Sequence, residues 1–344
     1  MIILPKSIFA EKLTNNIAFT FDGEYDQIFH ILLASILINA DKKNQEKFHF
    51  FINYYGSVNS MKILNLETVK VFPDINFTFK HIPTEFPEIK EFCDNMYDFE
   101  NAPEQIQTSS VFCRLFLSRI YPNIDLMLHM DLDMIVKSDL TQLFDLARKS
   151  KVKFPVFSCL NECIHESSLE GRNLFKKRQE SLFNKFPYLE EEAAELGLKP
   201  LFKKDYKPKG KKSKNSAFNA GILIFDLNIM KEENYEEKFL YCMKINLKNK
   251  IFKHNDQGIL NFLFYDNVGK LPTEWNAMWF GCGGKLFLRC EPTYETAKLL
   301  HFNGPLKPWS KRECLHTEAA DDWRFYQKLA DEFRLKWLMS LDDE

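Results

Sequence analysis

The sequence predicts an α/β protein with a mostly parallel central sheet. Three observations carry this. Short β-branched and aromatic runs alternate with segments of helical periodicity through the first half of the chain, an order that implies right-handed βαβ crossovers. Hydrophobic residues are 45% and charged residues 27% of the 344, the balance of a globular chain rather than a disordered one. A chain of this length buries roughly three quarters of its unfolded surface, so its core needs no disulfide or structural metal.

Residues 16–21 (NIAFTF) read as the first strand, ended by the turn signal Asp22-Gly23. A helix over 25–40 follows, with Ile28, Ile31, Leu32, Ser35 and Ile36 at helical spacing. Residues 47–54 (KFHFFINY) and 76–80 are further strands, separated by a helix over 57–69. The pattern predicts a helix over 107–120, stopped at Tyr121-Pro122 because a residue before proline disfavours helical backbone. A buried strand over 126–130 (LMLHM) and a helix over 139–147, started at Ser138, complete the alternating half. Between 160 and 216 the apolar pattern thins, and residues 203–214 (KKDYKPKGKKSK) hold seven lysines and one aspartate. That run is either a solvated loop or a surface that attracts a phosphorylated acceptor or an anionic membrane face. Regular structure resumes with a strand at 217–226 (AFNAGILIFD), a long helix over 228–249 and a shorter one near 256–265. Over 321–340 the residues Trp323, Tyr326, Ala330, Phe333 and Trp337 form a helical stripe for core packing or docking. The expected division is one domain over 1–310, with a lysine-rich insertion at about 161–216, and a C-terminal helical extension over 311–344.

Several function classes are excluded. With 46 basic against 48 acidic residues, the net charge of −2 gives no global field toward nucleic acid. The eight cysteines are scattered without a CxxC and read as reduced thiols; the nearest approach to metal spacing is Cys159-x3-Cys163 with His165. The opening apolar run, Met1 to Leu4, is cut off by Pro5 and Lys6, unlike a signal peptide. The longest apolar stretch, 28–40, is interrupted by His30, Ser35 and Asn39 and is too short for a bilayer. A cytoplasmic place is expected, with peripheral association at the inner membrane face left open by the lysine run.

Open parallel sheets bind ligands outside the carboxyl ends of their strands. Directly after LMLHM stand Asp131-Leu132-Asp133, and in extended backbone residues i and i+2 point the same way. Two carboxylates so placed repel unless a cation compensates them, and a divalent metal carrying a diphosphate does so. The other reading is a strand that merely ends in acidic residues. Residues 301–309 (HFNGPLKPW) add His301, Gly304 and Lys307. A histidine among oxygen ligands favours Mn²⁺ over Mg²⁺, a glycine lets backbone approach phosphate, and a lysine offers it a point charge. Taken alone, His301 reads first as a hydrogen-bonded packing residue. Phe218-Asn219-Ala220-Gly221 provides the small residues of a ligand floor, and His254-Asn255-Asp256-Gln257 opens a helix whose dipole would favour Asp256 without any ligand.

Six blocks in order, FTFDGEY, RLFLSRIYP, LHMDLD, FNAGILIFDL, NDQGILN and HFNGPLKPW, resemble glycosyltransferase family 8, above all the bacterial lipopolysaccharide α-galactosyl- and α-glucosyltransferases. The resemblance runs from about residue 16 to 309 and implies a Rossmann-like, nucleotide-sugar-binding GT-A fold. It implies a UDP-sugar donor, Mn²⁺ with Mg²⁺ as substitute, and retention of anomeric configuration. On it, Asp131, Asp133 and His301 match the metal ligands and Lys307 the diphosphate lysine, with Gly304 in the same loop. Asp22 and Tyr25 match the uridine end, and Arg114 the arginine that reaches donor sugar and phosphate. Asn219 matches the donor-sugar asparagine, and Ala220 and Leu132 are grouped with the donor-binding residues. Asp256 and Gln257 match the catalytic pair beside the reacting carbon. Gly23-Glu24 depart from the Asp and Asn often found there. The implied activity is hexosyl transfer, of galactose or glucose, to a saccharide or glycolipid acceptor of lipopolysaccharide, lipooligosaccharide or another surface glycan. A self-glycosylating primer like glycogenin and a catalytically silent nucleotide-sugar-binding module are the alternatives.

Overall fold

The computed structural model describes residues 14–96, 109–160, 183–198, 217–249, 252, 255–264, 267–283, 292–310 and 314–341. Its strands are β1 (Asn15–Phe21), β2 (Phe48–Tyr54), β3 (Asn76–His81), β4 (Leu126–Met130), β5 (Met134–Val136), β6 (Val156–Cys159), β7 (Ile222–Asp226), β8 (Val268–Leu271) and β9 (Leu299–His301). The main sheet runs β3-β2-β1-β4-β7-β6-β8, and β5 pairs with β9 in a separate ribbon. β1 pairs in parallel with β2 and β4, β2 with β3, and β6 with β8. Among the described residues of the main sheet, only β7 runs against its neighbours, β4 and β6; the β5–β9 ribbon is antiparallel as well. The mostly parallel α/β expectation therefore holds, with one reversed strand in the centre.

The strands read as near-continuous apolar runs because both faces of such a sheet are covered. Successive residues of β1 enter opposite cores. Ile17, Phe19 and Phe21 join Phe50, Ile52, Leu128 and Ile224 in one. Ala18 joins Phe51, Met127, Leu223 and Phe225 in the other. Helix Asp26–Ile38 lies in the first core and is buried from Ile28 to Leu37, since the C-terminal helix Thr317–Leu341 covers its outer side. That helix contributes Ala319, Ala320, Trp323, Tyr326 and Ala330 to the same core, while Phe333 rests edge-on against Phe72 at 5.7 Å. The stripe is thus packing. The side chain of Trp337 lies outside the described residues.

Several elements differ from the sequence expectation. Instead of one α-helix over 107–120, a 3-10 helix spans Ser109–Phe116 before a single α-turn, Leu117–Ile120. Within it, Arg114 Nε takes the carbonyl of Val111 (3.2 Å), competing with the α ladder. The expected helix over 228–249 is two, Leu227–Glu232 and Tyr235–Asn249, parted at Asn234 with φ 53°. Asparagine is among the few side chains that tolerate this left-handed backbone. The strand expected over 217–226 is regular only from Ile222, because Phe218 to Gly221 turn into the site. Helix Thr141–Lys149 starts later than Ser138, with Asp139 Oδ1 accepting from Thr141 N at 2.9 Å. Inside the expected insertion, Pro187–Glu195 is helical; the lysine run 203–214 lies outside the described residues. No described helix is long and apolar enough to cross a membrane.

Candidate active site

The ribbon of β5 and β9 fixes the first pair of site residues. Its register sets Met134 opposite His301, and Phe302 N donates to Asp133 O at 2.9 Å. Asp133, one residue before the ribbon, therefore stands beside His301, with Nε2 and Oδ1 3.3 Å apart. Asp131 continues the β4–β7 ladder through its N–H to Gly221 O (2.8 Å). As the i, i+2 spacing predicted, both carboxylates face one place: ligand atoms of Asp131, Asp133 and His301 lie within 4.8 Å of one another, the one such group among the described residues. Leu132 between them is buried in the core. Two carboxylates and an imidazole suit a divalent ion of the Mn²⁺ kind. Cys159 donates to Pro272 O at 3.2 Å, while Cys163 and His165 lie outside the described residues.

Two cations hold these carboxylates. Lys307 Nζ lies 2.5 Å from Asp133 Oδ2 and 2.7 Å from Phe302 O. Burial would raise the Asp133 carboxyl, but Lys307 and His301 outweigh it and hold it well below the usual range. The loop that delivers Lys307 turns at Gly304, φ 109°, where a Cβ would fall 2.4 Å from Cys282 Sγ and 2.6 Å from Gly281 O. Buried Arg114 reaches Asp131 Oδ1 (2.7 Å) and Ala220 O, and its Nε is 3.2 Å from Asp256 Oδ2. The Nε hydrogen is directed at Val111 O, so that Asp256 oxygen is close to the cation yet accepts no hydrogen bond. Burial, with the Asp131 charge adding, lifts Asp256 to about 6 against the pull of Arg114.

A chain of amides crosses the floor. Gln257 Oε1 accepts from Asn219 Nδ2 (3.0 Å) and Ala220 N (3.1 Å). Asn219 Oδ1 accepts from Gly221 N (2.9 Å) and from Asn276 Nδ2 (3.2 Å). Asn276 Oδ1 meets His301 Nδ1 at 2.8 Å. Sequence reading missed Asn276, and also Asn261, which clamps Phe218 through both its N–H and its carbonyl at 2.8 Å. Asn261 stood within a motif block, but Asn276, after Trp275 on a short 3-10 turn, had no periodic signal. Gly221 must be glycine, since a Cβ there would meet His301 Cε1 at 2.5 Å.

Asp22 and Tyr25 reach the same edge of the sheet from the neighbouring strand, β1, on the turn Gly23–Tyr25. A Cβ at Gly23 would come 2.9 Å from Tyr54 Oη, a physical reason for the departure noted there. Tyr54 in turn donates to Asp26 Oδ2 at 3.4 Å, and burial lifts that carboxyl to about 6.

The family model of glycosyl transferase family 8 matches residues 16–313. Glycosyltransferase 8 domain-containing protein 1 of Homo sapiens is 25% identical over 219 residues, 62% of this chain and 53% of that protein. Probable galacturonosyltransferase 13 of Arabidopsis thaliana is 25% identical over 222 residues, 64% of this chain and 36% of that protein. The chain thus spans about a third to a half of the length of these relatives. The crystal structure of galactosyltransferase LgtC in complex with donor and acceptor sugar analogues aligns with a TM-score of 0.56 at 19% identity, covering 92% of this chain and 95% of that one. The likeness is one of fold, the expected GT-A arrangement with its C-terminal helix. Since the family match runs unbroken from β1 past the Lys307 loop and encloses all six sequence blocks, the chain belongs to glycosyl transferase family 8.

Proposed function

We propose that this chain is a retaining hexosyltransferase that moves galactose or glucose from a UDP-sugar to a saccharide or glycolipid acceptor of lipopolysaccharide or another surface glycan. One observation carries the reading: Asp131, Asp133 and His301 converge within 4.8 Å, with Lys307 and Arg114 already on the two carboxylates. The three would hold Mn²⁺, or less well Mg²⁺, which when bound supplies positive charge to the diphosphate as UDP departs. Lys307 offers the diphosphate a point charge, and Gly304 lets the loop backbone come close. Arg114, hydrogen-bonded to Asp131 and close to Asp256, sets a buried positive charge beside the place where the phosphate would lie. Asp22 and Tyr25 serve the uridine end, Asn219 and Ala220 line the donor, and Leu132, its side chain in the core, offers the donor only backbone.

Asp256 faces the sugar as it becomes oxocarbenium-like and orients it. Gln257 is a poor nucleophile here, because its carbonyl oxygen already accepts from Asn219 Nδ2 and Ala220 N. Same-face attack of the acceptor hydroxyl, guided by the leaving phosphate, is the mechanism we favour. The lysine run over 203–214 supplies charge suited to a phosphorylated acceptor.

The test is release of UDP from UDP-galactose and UDP-glucose with Mn²⁺, alone and with candidate acceptors. Asp133→Ala is expected to abolish release with an unchanged circular dichroism spectrum, and proton NMR of the product to show the donor's anomeric configuration. Full activity in excess chelator, or in Asp133→Ala, would overturn the metal assignment.

A further inference from the structure

The amides between His301 and Gln257 have no freedom to flip. Backbone N–H groups can only donate, so the Gln257 atom 3.1 Å from Ala220 N is oxygen, and so is the Asn219 atom 2.9 Å from Gly221 N. Asn219 then turns its Nδ2 to Gln257 Oε1 at 3.0 Å. Because Asn219 Oδ1 is an acceptor, the Asn276 atom 3.2 Å from it must be the Nδ2 donor. Asn276 Oδ1 therefore faces His301 Nδ1 at 2.8 Å, and that nitrogen carries the proton. The opposite ring nitrogen, Nε2, is the one 3.3 Å from Asp133 Oδ1.

Asn276 is held for this task. It is buried between Trp275 and Ala277, which are also buried. Ala277 N donates to Leu299 O (3.1 Å) and His301 N to Ala277 O (2.8 Å), so the turn bearing Asn276 is tied to the strand bearing His301. Asn276 touches neither the reacting pair nor the two carboxylates in these contacts. It acts through its neighbours.

We infer that Asn276 is a positioning residue that couples the metal side of the site to its sugar side. Its carbonyl fixes the His301 tautomer that leaves Nε2 for the cation. Its N–H group fixes Asn219, which in turn holds the Gln257 oxygen inward and leaves the Gln257 NH₂ for the donor. The inference rests on the transferase reading above.

Two substitutions separate the two halves. Asn276→Ala removes both. Asn276→Asp keeps an acceptor on His301 Nδ1, and so the tautomer that leaves Nε2 for the cation, with a carboxylate that makes the ring a more basic ligand. It also sets a second oxygen against Asn219 Oδ1 and disturbs the sugar side. Mn²⁺ affinity, read in the presence of UDP by electron paramagnetic resonance of the free ion, is expected to fall about 10- to 100-fold in Asn276→Ala and less than about threefold in Asn276→Asp. Both should lower kcat. In ¹⁵N-histidine spectra the wild type should show His301 protonated at Nδ1, and Asn276→Ala should lose that preference. If the wild type binds neither Mn²⁺ nor UDP-sugar, the transferase reading fails. If it binds both, and Asn276→Ala keeps wild-type Mn²⁺ affinity, or Asn276→Asp keeps wild-type kcat, the coupling is wrong. Should Asn276→Ala fail to fold, Asn276→Asp and the wild-type tautomer decide alone: wild-type kcat in the first, or a neutral ring carrying its proton on Nε2 instead of Nδ1 in the second, overturns it.

Discussion

Burial keeps the Asp256 carboxyl near 6, although Arg114 stands 3.2 Å away. The native state holds this proton to higher pH than the unfolded chain does. Stability from the group is therefore present at low pH and lost as pH rises from about 4 to about 6. A rise of this size corresponds to something on the order of 2–3 kcal/mol, stored as strain against the charged form. Asp256→Asn keeps the shape without the charge, so it should melt higher than wild type at pH 7.5 and lose most of that advantage near pH 4. Donor cleavage should fall by about 10²–10³, as for loss of one electrostatic contact at a reacting centre. Melting curves across pH test this, and a variant less stable than wild type at pH 7.5 would mean Arg114 outweighs burial. Asp131 and Asp133 were legible in the sequence through their i, i+2 spacing and His301 and Lys307 through one short block, whereas Gln257 was singled out only through the family resemblance. Asn276 was not legible, since its two partners come from 25 and 57 residues away and nothing local marks it.

At the scale of elements, the runs whose period matched their burial were read well, among them β1, β2, β4 and the helix Asp26–Ile38. Errors arose where a side chain or a single backbone angle overrode the local pattern. Arg114, drawn onto Asp131 and Ala220, accompanies 3-10 geometry in a segment with helical periodicity. The three-residue β5 and β9 were too short to carry any period, yet their register brings Asp133 to His301. Asn234 divides one apparent helix into two, and its φ of 53° makes a specific demand. Asn234→Ala should destabilise by about 1 kcal/mol, because a Cβ without the compensating polar group disfavours this region, whereas Asn234→Gly should be neutral within a few tenths. Urea titration of both variants checks the claim, and equal losses would show that the Asn234–Glu237 hydrogen bond of 2.6 Å matters instead.

Across the whole molecule, the C-terminal helix is linked to the loop that carries Lys307 by aromatic contacts. Trp323, fully buried on that helix, lies 5.6 Å edge-on from Phe302 and 4.6 Å from Trp309. Those two residues bracket Lys307, whose ammonium is 2.7 Å from the Phe302 carbonyl and 5.7 Å from the Trp309 ring centre. Phe333 packs on the same helix further along, against Phe72 and away from the loop. Trp323→Ala should therefore do two things: destabilise by about 3–5 kcal/mol through the cavity it leaves, and loosen the loop that carries Lys307. Phe333→Ala should do only the first, and less of it, because Phe333 is only partly buried. Measured at a temperature where both variants are folded, the donor KM should rise several-fold in Trp323→Ala and stay near wild type in Phe333→Ala. A parallel rise in both would mean that the helix supports the core without reaching the loop. No rise in either, with Trp323→Ala destabilised as expected, would mean that Gly304 and the hydrogen bond from Leu306 N to Gly281 O (2.7 Å) hold Lys307 in place unaided.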